Sequence, residues 1–134
     1  MLKYIIAYLA TGLIFAAVDA VWLILSNERL YRPTLNPILA DDVNLKAAAV
    51  FYLVYILGIM LLAVSPATSW TKAMTTGAIV GAMCYATYDL TNQATLKVWA
   101  TKITVADILW GTFVTALAAT AGYHALRWAA AKFG

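Results

Sequence analysis

Charged residues are scarce in this chain of 134 residues. Lys, Arg, Asp and Glu make up only 11% of the sequence and hydrophobic residues 64%, whereas a typical soluble domain has roughly twice that share of charge. This composition excludes a soluble globular protein. It predicts an integral membrane protein whose main partner is the lipid bilayer.

Cysteine and histidine are nearly absent, which removes several classes of site. The single Cys84 lies inside an apolar segment and supports neither a disulfide framework nor a Cys-ligated metal site. The only histidine, His124, is expected at the membrane face opposite to the acidic residues discussed below. Glycine-rich phosphate loops and Ser/His/Asp arrangements are missing too. We therefore expect no metal, haem or other cofactor.

The basic residues do not indicate a nucleic-acid partner, although the formal net charge is +3. They lie at the ends of apolar segments, where Lys and Arg contact headgroups and set topology. The N-terminal side of the membrane is predicted to carry Lys3, Lys72, Arg127 and Lys132, and the other side Arg29, Arg32, Lys46, Lys97 and Lys102. Since the second side also carries Glu28, Asp41 and Asp42, the balance favours both termini in the cytoplasm.

Four apolar stretches approach or exceed the ~18 to 20 residues that cross a bilayer. They cover about residues 4–25, 47–64, 73–96 and 103–125. The predicted fold class is all-α, a single four-transmembrane-helix bundle over residues 1–134.

The connection between the first two helices, residues 26–46, is the longest and most polar. Pro33 and Pro37 are expected to break regular helix within it. The loop is long enough to fold over one mouth of the bundle, and a solvated linker resting on the headgroups explains it equally well.

The third predicted helix carries an unusual set of polar residues. Tyr85, Asp89 and Asn92 are spaced i, i+4 and i+7 and form one stripe, which Tyr88 flanks. An ionisable side chain inside a membrane is costly and marks a functional site by default. Asp89 is therefore our first candidate for a functional acid.

Two further acids lie inside predicted helices. Asp19 shares a helical face with Trp22, and Asp107 precedes Trp110 by one turn. Asp19 is the second candidate acid, with interhelical pairing as its structural alternative. For Asp107 the alternative is a capping box, because Thr104 stands three residues before it.

The three acids are predicted to share one leaflet. Helices one and three run away from the side of the N-terminus and helix four runs back, which places each acid on the order of 6 to 10 Å inside the same face. The predicted ligand-binding pocket consists of Asp19, Trp22, Tyr85, Tyr88, Asp89, Asn92, Asp107 and Trp110. Three carboxylates in low dielectric cannot all ionise cheaply, so at least one should hold a proton near neutrality. A structural pair of buried Asp residues that shares a proton and has no catalytic role fits the same pattern.

Gly77 and Gly81 form a GxxxG pattern, which allows close approach of another helix. The partner is either a helix of the same chain or a second copy, and a homodimer through these glycines is one expectation.

The chain resembles a family of bacterial four-helix membrane proteins catalogued as a domain of unknown function. The run Tyr88-Asp-Leu-Thr-Asn-Gln-Ala-Thr-Leu96 carries the likeness most specifically. It extends over Asp19 with Trp22, Phe51-Tyr52, Gly58, Trp99, and Asp107 with Trp110-Gly111. The resemblance implies the four-helix fold and a multi-pass protein of the bacterial inner (plasma) membrane, and it points to the same residues without implying an activity.

Three functions fit these observations. The first is binding or transport of a small cationic, amphipathic or protonatable ligand, with proton coupling through the acids. The second is an enzyme that uses a protonated Asp, either Asp89 or Asp19, as general acid on a lipid or isoprenoid-like substrate, which requires a lateral opening to lipid. The third is a structural or accessory subunit whose acids only pair helices.

Overall fold

The computed structural model describes every residue from Met1 to Gly134 and contains helices and no strands, which confirms the all-α fold class. The helices are α1 (Leu2–Ser26), α2 (Arg32–Leu35), α3 (Leu45–Ile59), α4 (Trp70–Thr95) and α5 (Thr101–Phe133). Wider π-helical turns at Asn27–Tyr31 and Met60–Val64 extend α1 and α3.

The segment expected to be a polar loop, residues 26–46, is helical as far as Ile38. Pro33 and Pro37 do not interrupt it, because each stands in the first turn of a new helical piece, α2 and a 3₁₀ turn over Asn36–Ile38. A first-turn residue has no helical acceptor for its N–H, so proline costs little there. Only residues 39–44 form a non-helical connection.

Three helical stretches are long and apolar enough to cross a membrane by their own hydropathy: Leu2–Ile38, Leu45–Val64 and Thr101–Phe133. Helix α4 is less apolar because it carries the polar stripe. Its 26 residues span about 39 Å at ~1.5 Å per residue, enough to cross with the others.

Most large apolar side chains point outward, and only 26 of 134 residues are buried. Leu13, Ile24 and Leu109, for example, are more than half exposed. This is the pattern of a bundle whose outer surface is solvated by lipid.

Helix α5 is the centre of the bundle, with α1 and α4 packed along it. Its small residues permit this, since a Cβ on Gly122 would overlap the Thr11 hydroxyl of α1. Gly77 and Gly81 pack α4 against α5 in the same way. A Cβ on Gly77 would lie 2.7 Å from Ala119 Cβ. The GxxxG pattern therefore packs against a helix of the same chain, one of its two alternatives, and a homodimer stays a prediction.

The apolar core fills the half of the bundle nearest the termini. Phe15, Ile59, Val64 and Val114 are fully buried there. The polar groups occupy the other half, beneath the helical segment that follows α1.

Candidate functional site

Asp19 ties three helices together. Its carboxylate accepts a hydrogen bond from Tyr52 Oη of α3 at 2.7 Å and one from Trp110 Nε1 of α5 at 3.0 Å. The side chain is only 7% exposed. A buried carboxylate with both oxygens hydrogen-bonded is well satisfied, so Asp19 has a clear structural role.

Asp107 is held from the opposite side by the segment that follows α1. The Tyr31 hydroxyl donates to the Asp107 carboxylate and accepts a hydrogen bond from Trp22 Nε1 at 3.0 Å. Trp22 stacks on Trp110, with ring centroids 4.6 Å apart and planes within 7°. This stack joins the Asp107 group to the Asp19 group.

Asp89 is the exception among the three acids. It is fully buried, and no protein group donates a hydrogen bond to either carboxyl oxygen. Its carboxyl group faces that of Asp107. Two neighbouring carboxylates repel strongly in a low dielectric, so this proximity calls for a proton or another cation between them.

None of these acids has a basic partner. The only ion pair in the chain joins Arg32 to Glu28 at 3.1 Å, on the surface. Buried charges are normally paired or bind a cation. The polar half of the bundle therefore holds three buried carboxyl groups and no cationic side chain paired with them.

The acids adjoin a cavity of about 310 Å³ at the membrane face of the α1–α3 connection. Asp19, Trp22, Tyr85, Tyr88, Asp107 and Trp110 line it, six of the eight residues of the predicted pocket. The fully buried Asp89 and the half-buried Asn92 do not line the cavity.

The segment after α1 covers this cavity, which is one of the two sequence-based interpretations of residues 26–46, but sequence reasoning did not identify the residues that line it. Tyr31, Leu35 and Leu39 line it from above, together with Trp99 of the α4–α5 turn. The alternation of these apolar residues with charged ones indicates a segment with one apolar face. It does not indicate which helices that face contacts. Tyr52 was missed as well, since nothing in the sequence indicates that its phenol contacts Asp19.

The capping-box interpretation of Asp107 is wrong. Helix α5 begins at Thr101, one turn before Thr104, so Thr104 is not a cap. Its hydroxyl donates to Gln93 Oε1 at 2.6 Å and accepts from Trp99 Nε1 at 2.9 Å. Asp107 is thereby left free to face the cavity.

A second cavity of about 340 Å³ opens beside the first. It lies between α3 and α4 and is lined by Phe51, Tyr55, Cys84, Tyr85, Tyr88 and Asp107. Asp107, Tyr85 and Tyr88 line both cavities. We call the first the acid cavity and the second the lateral cleft.

Long apolar helices with buried carboxyl groups at one end of the bundle define a multi-pass α-helical membrane protein. The chain belongs to the family described as "Predicted membrane protein (DUF2177)", whose model matches residues 4–124, and this confirms the resemblance seen in the sequence. No curated protein and no solved structure matches the chain.

Proposed function

We propose that the protein binds a small organic cation, an amine or a quaternary ammonium group, in the acid cavity. The observation that carries the proposal is that three buried carboxyl groups, those of Asp19, Asp89 and Asp107, have no Lys or Arg within ion-pair distance. A cationic ligand supplies the counter-charge that the fold lacks.

The walls of the acid cavity support the same ligand class. The stacked indoles of Trp22 and Trp110 stand beside the phenols of Tyr85 and Tyr88. Aromatic rings attract a cation within about 6 Å of their centroids, and cages of such rings recognise quaternary ammonium groups. The carboxylate supplies charge and the rings supply shape.

The facing carboxyl groups of Asp89 and Asp107 couple binding to a proton. In the empty site a proton lies between them, because two adjacent charges in low dielectric repel strongly. A cation that binds Asp107 replaces this proton. Affinity is therefore expected to weaken as the pH falls, since protons then compete for the same carboxyl pair.

The cavity is closed toward the termini, which favours binding over passage through one chain. Below it, Phe15 and Val114 are fully buried in the packed core. The two cavities on the side of the termini share no lining residue with the acid cavity. Transport would require rearrangement of this core.

Titration with tetramethylammonium tests the proposal. Purified protein in lipid nanodiscs should show a saturable change in tryptophan fluorescence, because Trp22, Trp99 and Trp110 line the cavity. Asp107→Asn should weaken binding by at least about tenfold, as expected for loss of a buried charge partner. The control Asp42→Asn removes an exposed acid from the connection to α3 and should bind normally.

Absence of binding to the native protein, or equal binding by Asp107→Asn, would refute the cation site. The acids would then be groups that pair helices, and the accessory-protein interpretation would take its place.

One observation supports an enzyme as the second candidate. The lateral cleft gives the lipid phase access to Asp107, as a general acid acting on a lipid or isoprenoid-like substrate requires. Incubation with a bacterial lipid extract followed by mass spectrometry separates the two functions. A lipid converted by native protein and not by Asp107→Asn would favour catalysis.

For location we propose the bacterial inner membrane with both termini in the cytoplasm. The acids Glu28, Asp41 and Asp42 then face outward, as the topology argument requires. A C-terminal fusion to a reporter that is active only in the cytoplasm checks this orientation.

A further inference from the structure

The lateral cleft exists because α3 and α4 diverge. Helix α4 packs along α5, where Gly77 and Gly81 hold it close, and it meets the α3 side chiefly through the turn Met60–Val64. Toward the acids the two helices meet through side chains, with Tyr55 of α3 against Tyr85 of α4. Phe51 and Tyr88 at the edges of the cleft are 45% and 60% exposed, so the cleft opens toward lipid.

The lining of the cleft is aromatic except for Cys84 and a single carboxyl group. Phe51 stacks on Tyr55 at 5.3 Å between centroids, and Tyr55 meets Tyr85 edge-on at 6.4 Å. Asp107 stands at the inner end, where the cleft joins the acid cavity. An apolar slot that ends at an acid matches a molecule with a hydrocarbon part and a cationic end.

We infer that the ligand is an amphiphile whose cationic group lies in the acid cavity against Asp107 and whose single hydrocarbon chain leaves through the lateral cleft into the bilayer. This inference rests on the proposed cation site and names its ligand class. Asp107, Tyr85 and Tyr88 line both spaces, so one molecule can occupy them together.

The dimensions of the lateral cleft allow only one hydrocarbon chain. The cleft volume of about 340 Å³ lies at the lower end of the ~300–1,000 Å³ of small-molecule pockets. A double-chain lipid would have to spread α3 from α4, which the Met60–Val64 contact opposes. The ligand reaches the site from the membrane and needs no aqueous channel.

The test compares tetramethylammonium with dodecyltrimethylammonium in nanodiscs, both read from tryptophan fluorescence and plotted against free aqueous concentration. The test variant is Cys84→Phe, which fills the cleft. Cys84 is exposed and does not line the acid cavity, so the variant should fold. Its neighbour Met83 is 66% exposed and lines neither space, so Met83→Phe adds the same ring to lipid-facing surface as a matched control.

We expect Cys84→Phe to weaken dodecyltrimethylammonium binding by about tenfold, since overfilling an occupied space is costly. Tetramethylammonium does not reach the cleft, so its affinity in Cys84→Phe should equal that of native protein. Met83→Phe should bind both ions normally. Unchanged dodecyltrimethylammonium affinity in Cys84→Phe overturns the amphiphile inference and leaves the cation site standing. Failure of tetramethylammonium to bind native protein overturns both.

Discussion

Asp19 and Asp89 are aspartates of similar depth with opposite surroundings. Asp19 accepts hydrogen bonds from Tyr52 and Trp110, whereas neither oxygen of Asp89 has a donor. A hydrogen-bonded buried carboxylate holds its neighbours in place. A buried acid without partners costs stability, which is characteristic of a group kept for function.

The difference predicts opposite effects of the same substitution. Asp19→Asn should lower the free energy of unfolding by about 1–3 kcal/mol, because its amide N–H₂ group would face a Tyr52 or Trp110 donor. Asp89→Asn should leave stability unchanged or raise it, since it removes a buried ionisable group with no donor. Thermal unfolding in mild detergent measures both, and equal losses would contradict this division of roles.

Infrared spectroscopy in lipid checks the proton between Asp89 and Asp107. A protonated carboxyl band should be present near neutrality, disappear in Asp89→Asn, and diminish when tetramethylammonium binds. A band that persists in Asp89→Asn would assign the proton to another acid and contradict the proposed exchange.

At the scale of the elements, small residues decide which helices touch. Gly81 lies against the Gly111 backbone and Thr115, and Gly111 lies against the Tyr85 ring. The resulting close approach of α4 to α5 places Asp89 beside Asp107. The same approach takes α4 away from α3 and leaves the lateral cleft open.

Two glycine substitutions distinguish the effect of helix packing on stability from the effect of helix propensity. Gly81→Ala should destabilise the protein by about 1–3 kcal/mol, because its Cβ would lie 2.8 Å from Thr115 Cβ and overlap the Gly111 carbonyl oxygen. At Gly58 a Cβ meets nothing within 4 Å. Gly58→Ala should therefore stabilise α3 by up to about 1 kcal/mol. Unfolding temperatures of the two variants should move in opposite directions, and a loss in both would refute the packing argument.

For the molecule as a whole, the acid cavity is complete within one chain. Residues of α1, α4 and α5 and the segment after α1 line it, and the GxxxG glycines are buried inside the bundle. We therefore propose that the site needs no second copy.

We accordingly expect one tetramethylammonium bound per chain in nanodiscs that each contain a single copy. Native mass spectrometry of the loaded discs gives the copy number, and fluorescence titration gives the stoichiometry. Binding found only in discs with two copies would show that a partner completes the site.

The sequence by itself determined the membrane class, the four long helices and the common end of the bundle at which the acids lie. Apolar length identifies the spans, and the alternation of helix direction places Asp19, Asp89 and Asp107 at similar depth. These properties depend on position along a helix, which the order of residues sets directly.

Only the tertiary structure decided which of the three acids has partners and where the bundle opens. The Tyr52–Asp19 and Tyr31–Asp107 contacts, the lack of a hydrogen-bond donor to Asp89 and the gap between α3 and α4 all depend on which helices adjoin and how each is rotated about its axis. Helical periodicity shows on which face of its own helix a residue lies. It contains nothing about the neighbour that this face meets, which close packing of the whole chain determines.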